Sequence, residues 1–347
     1  MRLLILGTGS MASAHAEGFS GLPGVEVAGC ADVDLKRAQD FAKAHNIPEA
    51  WPSLTAALES GGYDAVTNAT PDPAHYPTTM EALAAGLHVL CEKPLATNAR
   101  DAADMARLAK EKGVVNGVNL TYRHVSALQT ARKIVDEGRL GDIRHFEAAD
   151  LQCWLTQPAW GDWSTEERWL WRLSSMHGSL GALGDIGIHI FDFVTYAAGL
   201  DIATVQAMLT TFPKAEGDQI GPYVLDANDS MVMTARLENG ASGVIHVTRF
   251  ASGHMNDLSL RLFGTKGGIE LGNAGDLGTI RICEGDDLET ATWRDIPLEP
   301  VDTNYRRFAD AVQSGTQMKP DFETALRLQR VIDAAHEKPH QEFDVRG

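Results

Sequence analysis

A short apolar run, RLLIL at residues 2 to 6, leads directly into Gly7-Thr-Gly9-Ser-Met-Ala12, and this junction constrains the chain more than any other feature. The run reads as a strand, and ASAHAEGFSGL after it reads as a helix. The first glycine permits a tight turn, the second lets a ligand approach the backbone, and Ala12 lets helix and strand pack closely. The helix N-terminus then presents free N–H groups and a favourable dipole to phosphate. A second strand, VEVAGCAD, ends in Asp32, about 20 residues past the glycines, where an acid can accept both ribose hydroxyls. Together these features predict a dinucleotide site. Asp32 repels a 2′-phosphate, so NAD is expected; NADP is the alternative, because Lys36 and Arg37 follow closely.

The alternation continues with DLKRAQDFAKAHNI and LTAALESGG as helices and YDAVTNAT as a buried strand. PTTMEALAAGL, HVLCEK, NARDAADMARLAKEKG and VVNGVNL extend the pattern. Strands and helices at this rhythm predict a parallel sheet wound on both faces, with ligands beyond the carboxyl ends of its strands. The loops at those ends are ATPDPAHYP (69–77), EKP (92–94) and NLTYRH (119–124). The proline after Lys93 makes a cis Lys93–Pro94 peptide an expectation.

At 347 residues the chain exceeds one ordinary core, so two domains are expected. A formal net charge of -17 with no basic stripe excludes nucleic acid and anionic membranes as partners. The first apolar run ends too soon for a signal peptide or a membrane span. Cys30, Cys91, Cys153 and Cys283 form no CxxC pair, which predicts buried free thiols, no metal centre and a cytoplasmic setting. Beyond residue 140 the chain is β-rich, and after residue 200 its runs follow one another without helices between them; Asn-Gly and Lys-Gly-Gly turns mark hairpins. The expected fold class is therefore α/β: a Rossmann dinucleotide-binding domain at 1–120, then an α+β domain at 121–347 with a large, open, mainly antiparallel sheet.

GALGDIGIHIFD, residues 181–192, reads as a helix carrying Gly181, Gly184 and Gly187, each costing about 1 kcal/mol relative to alanine. Asp185 and His189 lie four residues apart on one face, with Asp192 one turn further. The glycines are expected to clear that face for a flat nicotinamide ring and a substrate.

GTGSMA, Asp32, ATPDPAH, EKP and Gly181-x-x-x-Asp185-x-Gly187-x-His189, in this order along nearly the whole chain, resemble the glucose–fructose oxidoreductase and inositol dehydrogenase family. The resemblance implies NAD(P)-dependent hydride transfer between the cofactor and a secondary hydroxyl or carbonyl of a sugar, cyclitol or related polyol. It implies Lys93, Asp185 and His189 as catalytic residues. It assigns the cofactor to Gly7, Gly9, Ser10, Met11, Ala12, Asp32, Thr70, Pro71, His75, Glu92 and Lys93. It also implies a homodimer or homotetramer through the C-terminal sheet. Histidine's ordinary pKa near 6.5 suits proton exchange, and an ammonium at Lys93 suits a developing alkoxide.

Tyr122 and Arg123, from the 119–124 loop, and Trp163, Arg172, Lys93, Asp185 and His189 are the candidate substrate contacts. Five tryptophans crowd residues 154–171, where they can face a sugar or simply pack as core. Two other functions fit the same motifs: an NAD-dependent glycoside hydrolase or lyase with recycled cofactor, and a dinucleotide-binding regulator without catalysis.

Overall fold

The computed structural model describes residues 1–337 and 342–344. The chain divides into two compact units, Met1–Thr121 with Asp302–Gln329, and Tyr122–Val301 with Arg330–Gly347. Of the second, residues 338–341 and 345–347 lie outside the described residues, and with them the end of the expected 121–347 domain.

The first unit runs β1 (Arg2–Leu6), α1 (Ser10–Phe19), β2 (Glu26–Ala31), α2 (Leu35–His45), β3 (Glu49–Trp51), α3 (Leu54–Ser60) and β4 (Ala65–Asn68). It continues through α4 (Asp72–Ala84), β5 (His88–Cys91), α5 (Ala99–Lys112) and β6 (Asn116–Val118). All six strands are parallel in the order β3-β2-β1-β4-β5-β6. This is the doubly wound dinucleotide-binding order, with its reversal between β1 and β4. β1 and β4 are almost wholly buried, as strands covered on both faces must be. Side chains cap the supporting helices: Asp34 accepts from the Lys36 and Arg37 N–H groups at α2, and Asn98 from Asp101 N–H at α5. The start of α1 has no such cap.

The second unit opens with α6 (Ser126–Asp136), β7 (Ile143–Leu151), the short α7 (Glu167–Leu170) and α8 (Ile188–Ala198). Then come β8 (Ile202–Thr210), the small pair β9 (Gln219–Ile220) and β10 (Tyr223–Val224), β11 (Ser230–Leu237), β12 (Ser242–Thr248) and β13 (Asp257–Gly264). β14 (Gly267–Gly272), β15 (Thr279–Glu284), α9 (Asp287–Thr290) and β16 (Arg294–Asp295) follow. α10 (Asn304–Ser314), α11 (Phe322–Glu337) and β17 (Glu342–Asp344) close the chain. The large sheet has the order β16-β15-β14-β13-β7-β12-β11-β8-β17, and only its β7–β12 neighbours are parallel. Burial alternates residue by residue along β11, β12 and β13, so one face is core and the other is open. Helices α6 and α8 pack on strands of this sheet.

The structure corrects two expectations. A single division at residue 120 misses the return of Asp302–Gln329 to the nucleotide unit. There Phe308 packs with Leu3, Phe19 and Leu90, and Tyr305 stands edge-on to His15 and Phe19. Val118 N–H donates to Pro320 O at 3.0 Å, which covers the otherwise open edge of β6. This pairing joins residues about 200 apart, beyond the reach of local pattern.

The second correction concerns residues 181–192, which are not one α-helix. Gly181 takes a left-handed φ of +66°, Leu183–Gly187 form a π-helical turn, and α8 begins only at Ile188. A Cβ on Gly181 would lie 2.5 Å from Asn228 O, and one on Gly184 would lie 2.5 Å from Leu180 Cβ. The Gly187 position meets the Phe191 ring at 3.4 Å. The glycine gaps are therefore filled by the protein's own packing, and they do not clear a surface for a cofactor.

Candidate active site

In the first unit the candidates gather at the carboxyl ends of the strands. Gly7 turns with φ +85°, and a Cβ there would sit 2.7 Å from Ala69 O, so only glycine fits. Gly9 faces open space at its missing Cβ, and Ser10 and Met11 are exposed over the uncapped start of α1. Ala12 is fully buried against the sheet. At the end of β2, Asp32 Oδ2 accepts from Thr8 N–H (3.1 Å) and Thr8 Oγ1 (2.6 Å), and Oδ1 accepts from Asp34 N–H (3.0 Å). Arg37 Nη2 lies 3.5 Å from the same carboxylate. An open backbone cradle, free helix N–H groups and an acid at the next strand end fit a dinucleotide. Beyond β4, Thr70 donates through N–H and Oγ1 to Asn68 Oδ1, and Pro71 leads exposed into α4.

His75 does not stand where a direct cofactor contact requires. Its ring has no exposed surface; Nδ1 lies 2.7 Å from Pro94 O and Nε2 2.7 Å from Thr70 O. Burial alone disfavours a charged ring, but Cys91, Asp72 and the Pro94 carbonyl outweigh it and push its pKa up to about 10.

Glu92 is also turned inward. Its Oε1 accepts from His15 Nε2 and Asn119 Nδ2, both at 2.7 Å, and its Oε2 accepts from Lys93 N–H at 3.2 Å. His15 Nδ1 pairs with Thr67, and Asn304 Nδ2 donates to Asn119 Oδ1 and Leu120 O. Burial resists ionisation of Glu92, yet the His15 and Asn119 hydrogen bonds and the Lys93 charge lower its pKa to about 2. The network therefore ties α1, β4, β5, β6 and α10 together beneath Lys93. Lys93 itself is partly exposed, and the Lys93–Pro94 peptide is cis.

In the second unit, residues 181–194 are buried except for Asp185 and His189, which alone keep partial exposure. Arg249, fully buried, donates from Nη2 to Asp185 Oδ2 at 3.1 Å and from Nη1 to the Arg172 carbonyl, with its guanidinium 4.9 Å over Trp154. Arg172 Nε lies 3.8 Å from the same Asp185 oxygen. Tyr122 meets the His189 ring edge-on, with centroids 4.9 Å apart. Burial, then the charges of Asp150 and Asp185, raise the pKa of the Tyr122 hydroxyl, which therefore stays a proton-bearing donor at neutral pH.

Other expected substrate contacts lie elsewhere. Arg123 is buried in a bidentate pair with Asp192, both bonds 2.6 Å, and stacks 3.8 Å over Tyr196. Arg123 and Asp192 thus brace α8 and offer nothing outward. Trp163 packs with Trp160 and Trp169 against a small core of Trp154, Leu155, Leu170, Leu173 and Leu225. Arg172 stays partly exposed over the Trp171 and Trp169 rings. All four cysteines are free and buried. Among the described residues no three His, Cys, Asp or Glu side chains are grouped to hold a metal ion, and no helix is long and apolar enough to cross a membrane.

Sequence reasoning passed over His15 and Arg249. His15 had a signal: it falls on the Ala12–Ala16–Phe19 stripe of α1, where a polar residue needs a buried partner. Arg249 had none, because its partner Asp185 is 64 residues away.

The depressed Glu92 carboxyl makes one testable statement about stability. Its folded pKa of about 2 lies below the ordinary 4.5, so its contribution is complete above pH 4.5 and lost as pH falls toward about 2. Glu92→Gln should lower the urea midpoint at neutral pH, and its deficit relative to the parent protein should shrink across that acid window. A deficit that stays constant with pH would contradict the buried carboxylate.

Residues 1–120 match the family model for the oxidoreductase family with an NAD-binding Rossmann fold, GFO_IDH_MocA, and residues 128–270 match the GFO/IDH/MocA C-terminal domain. The chain is 28% identical over 287 residues to levoglucosan dehydrogenase of Pseudarthrobacter phenanthrenivorans, covering 76% of this chain and 72% of that one. It is 27% identical over 352 residues to D-glucoside 3-dehydrogenase of Escherichia coli, covering 97% and 95%. Among solved structures, an oxidoreductase domain protein from Kribbella flavida superposes with a TM-score of 0.87 at 28% identity, covering 100% and 99%. A levoglucosan dehydrogenase complex with NADH shares the fold at a TM-score of 0.87 and 24% identity, covering 99% of each chain. With both halves matched and the Rossmann cradle intact, the chain belongs to the GFO/IDH/MocA family of NAD-binding oxidoreductases.

Proposed function

We propose that this protein oxidises a secondary hydroxyl of a sugar, cyclitol or related polyol, or runs the reverse reduction, with Lys93, Asp185 and His189 as its reactive side chains. The observation that carries this is the selective exposure of Asp185 and His189 in an otherwise buried segment. An acid and a base left accessible amid apolar packing are positioned for proton exchange. Relatives named for levoglucosan and D-glucoside oxidation support a carbohydrate as substrate.

NAD, held by the β1–α1 turn and Asp32, supplies a hydride acceptor when bound. His189 takes the proton of the substrate hydroxyl as negative charge grows on that oxygen. Lys93 stabilises the oxyanion as an ammonium. Tyr122 holds the imidazole edge-on. Asp185, held by Arg249, favours the protonated imidazole that forms. Lys93→Met and His189→Ala should each lower kcat by about 10²- to 10⁴-fold while the dissociation constant for NAD changes little. The assay is NADH absorbance against a panel of aldoses, cyclitols and anhydrosugars. Near-parental turnover in both variants, or turnover without NADH accumulation, would contradict the proposal.

The open face of the large sheet takes a second copy of the chain in the same proposal. Met208, Val232 and Val244 leave 48%, 50% and 39% of their surface exposed there, and Val232 pairs across the ladder with Met208. Apolar side chains clustered on one sheet face favour association. Sedimentation velocity should give a dimer or larger species, and Val232→Lys should shift it toward monomer; a parental monomer at assay concentration would contradict the assignment.

A further inference from the structure

His75 occupies a position that a neutral histidine cannot satisfy. Both ring nitrogens lie 2.7 Å from backbone carbonyl oxygens, Pro94 O on one side and Thr70 O on the other. A carbonyl only accepts, and neutral imidazole carries one N–H, so one of the two contacts would set lone pair against lone pair. The ring has no exposed surface, so water cannot relieve that conflict. Only the imidazolium, with two N–H donors, satisfies both oxygens.

The two carbonyls are not ordinary loop atoms. Thr70 lies in the loop after β4, and Pro94 directly follows Lys93 after β5. The ring thus bridges two of the strand-end loops from its place in the first turns of α4. The charged and titratable groups facing it are Asp72 on its own helix and Cys91 at the end of β5. The Glu92 carboxylate is turned to His15 and Asn119 instead.

We propose that His75 is a constitutively protonated positioning residue, an imidazolium staple that joins the Thr70 and Pro94 carbonyls and thereby fixes the loop carrying Lys93. It touches neither substrate nor cofactor and takes no part in proton transfer. The positioning half rests on Lys93 being a reactive side chain; the protonation half does not. A folded pKa of about 10 against an ordinary 6.5 means the stabilisation is complete below 6.5 and is lost as pH rises toward about 10.

The test uses the full-length protein with 15N-labelled histidine and through-bond assignment of the His75 ring. At neutral pH both ring nitrogens should resonate as protonated N–H groups, each with a slowly exchanging proton. One nitrogen at the unprotonated position would overturn the proposal whatever the enzyme's activity. In parallel, His75→Gln, which offers one amide group and cannot span both carbonyls, should lower kcat about tenfold or more, with NAD affinity nearly unchanged. Its stability deficit should narrow as pH rises from 6.5 toward 10. A His75→Gln enzyme with parental kcat would remove the positioning role. If Lys93→Met keeps parental turnover while the ring is doubly protonated, the function proposed for Lys93 fails and the imidazolium staple stands.

Discussion

A buried carboxylate is the constraint on which the nucleotide unit turns. Glu92 at the end of β5 has almost no contact with solvent, and an unpaired charge there would cost several kcal/mol. His15 from α1 and Asn119 after β6 supply the compensating bonds, and Asn304 from α10 locks Asn119 in turn. Each partner comes from a different part of the chain, so the charge is satisfied only when helix, sheet and returning segment are all in place. The next residue is Lys93, whose N–H is bound to the same carboxylate. The carboxylate that the unit's fold must satisfy therefore also anchors the backbone of its lysine.

The second unit solves a similar problem with a different sign. Arg249 is a buried cation that meets Asp185, the Arg172 carbonyl and the Trp154 face. Arg123, also buried, is neutralised by Asp192. Between these braces Asp185 and His189 are the accessible remainder. Accessibility here is what packing leaves over, since the glycines beside them are enclosed by Asn228, Leu180 and Phe191.

Features of the fold with a local cause were legible in the sequence. The strand, Gly7, Gly9, Ala12 and Asp32 declared the parallel sheet, because tight turns and close packing admit few residue types. The Asn239-Gly240 turn and the alternation around it declared the hairpin of β11 and β12. What escaped was set by distant contacts. Tyr305 and Phe308 join a core whose other members lie near the start of the chain. Arg123 looked like a substrate ligand because nothing local announces Asp192, 69 residues on, as its partner. The glycines of 181–187 were seen as open because sequence shows a missing side chain but never what fills its place. His75 was assigned to the cofactor from its loop, whereas its buried ring serves the backbone of two loops.

The proposed function assigns Lys93 and His189 to the same chemical step, and kinetics can test that assignment. The most direct measurement is a kinetic double-mutant cycle on kcat/KM with Lys93→Met, His189→Ala and the pair. Groups that act in a single step lose their contributions together, so the double variant should be little slower than the worse single variant. Losses that multiply in full would mean two independent roles and would contradict that assignment.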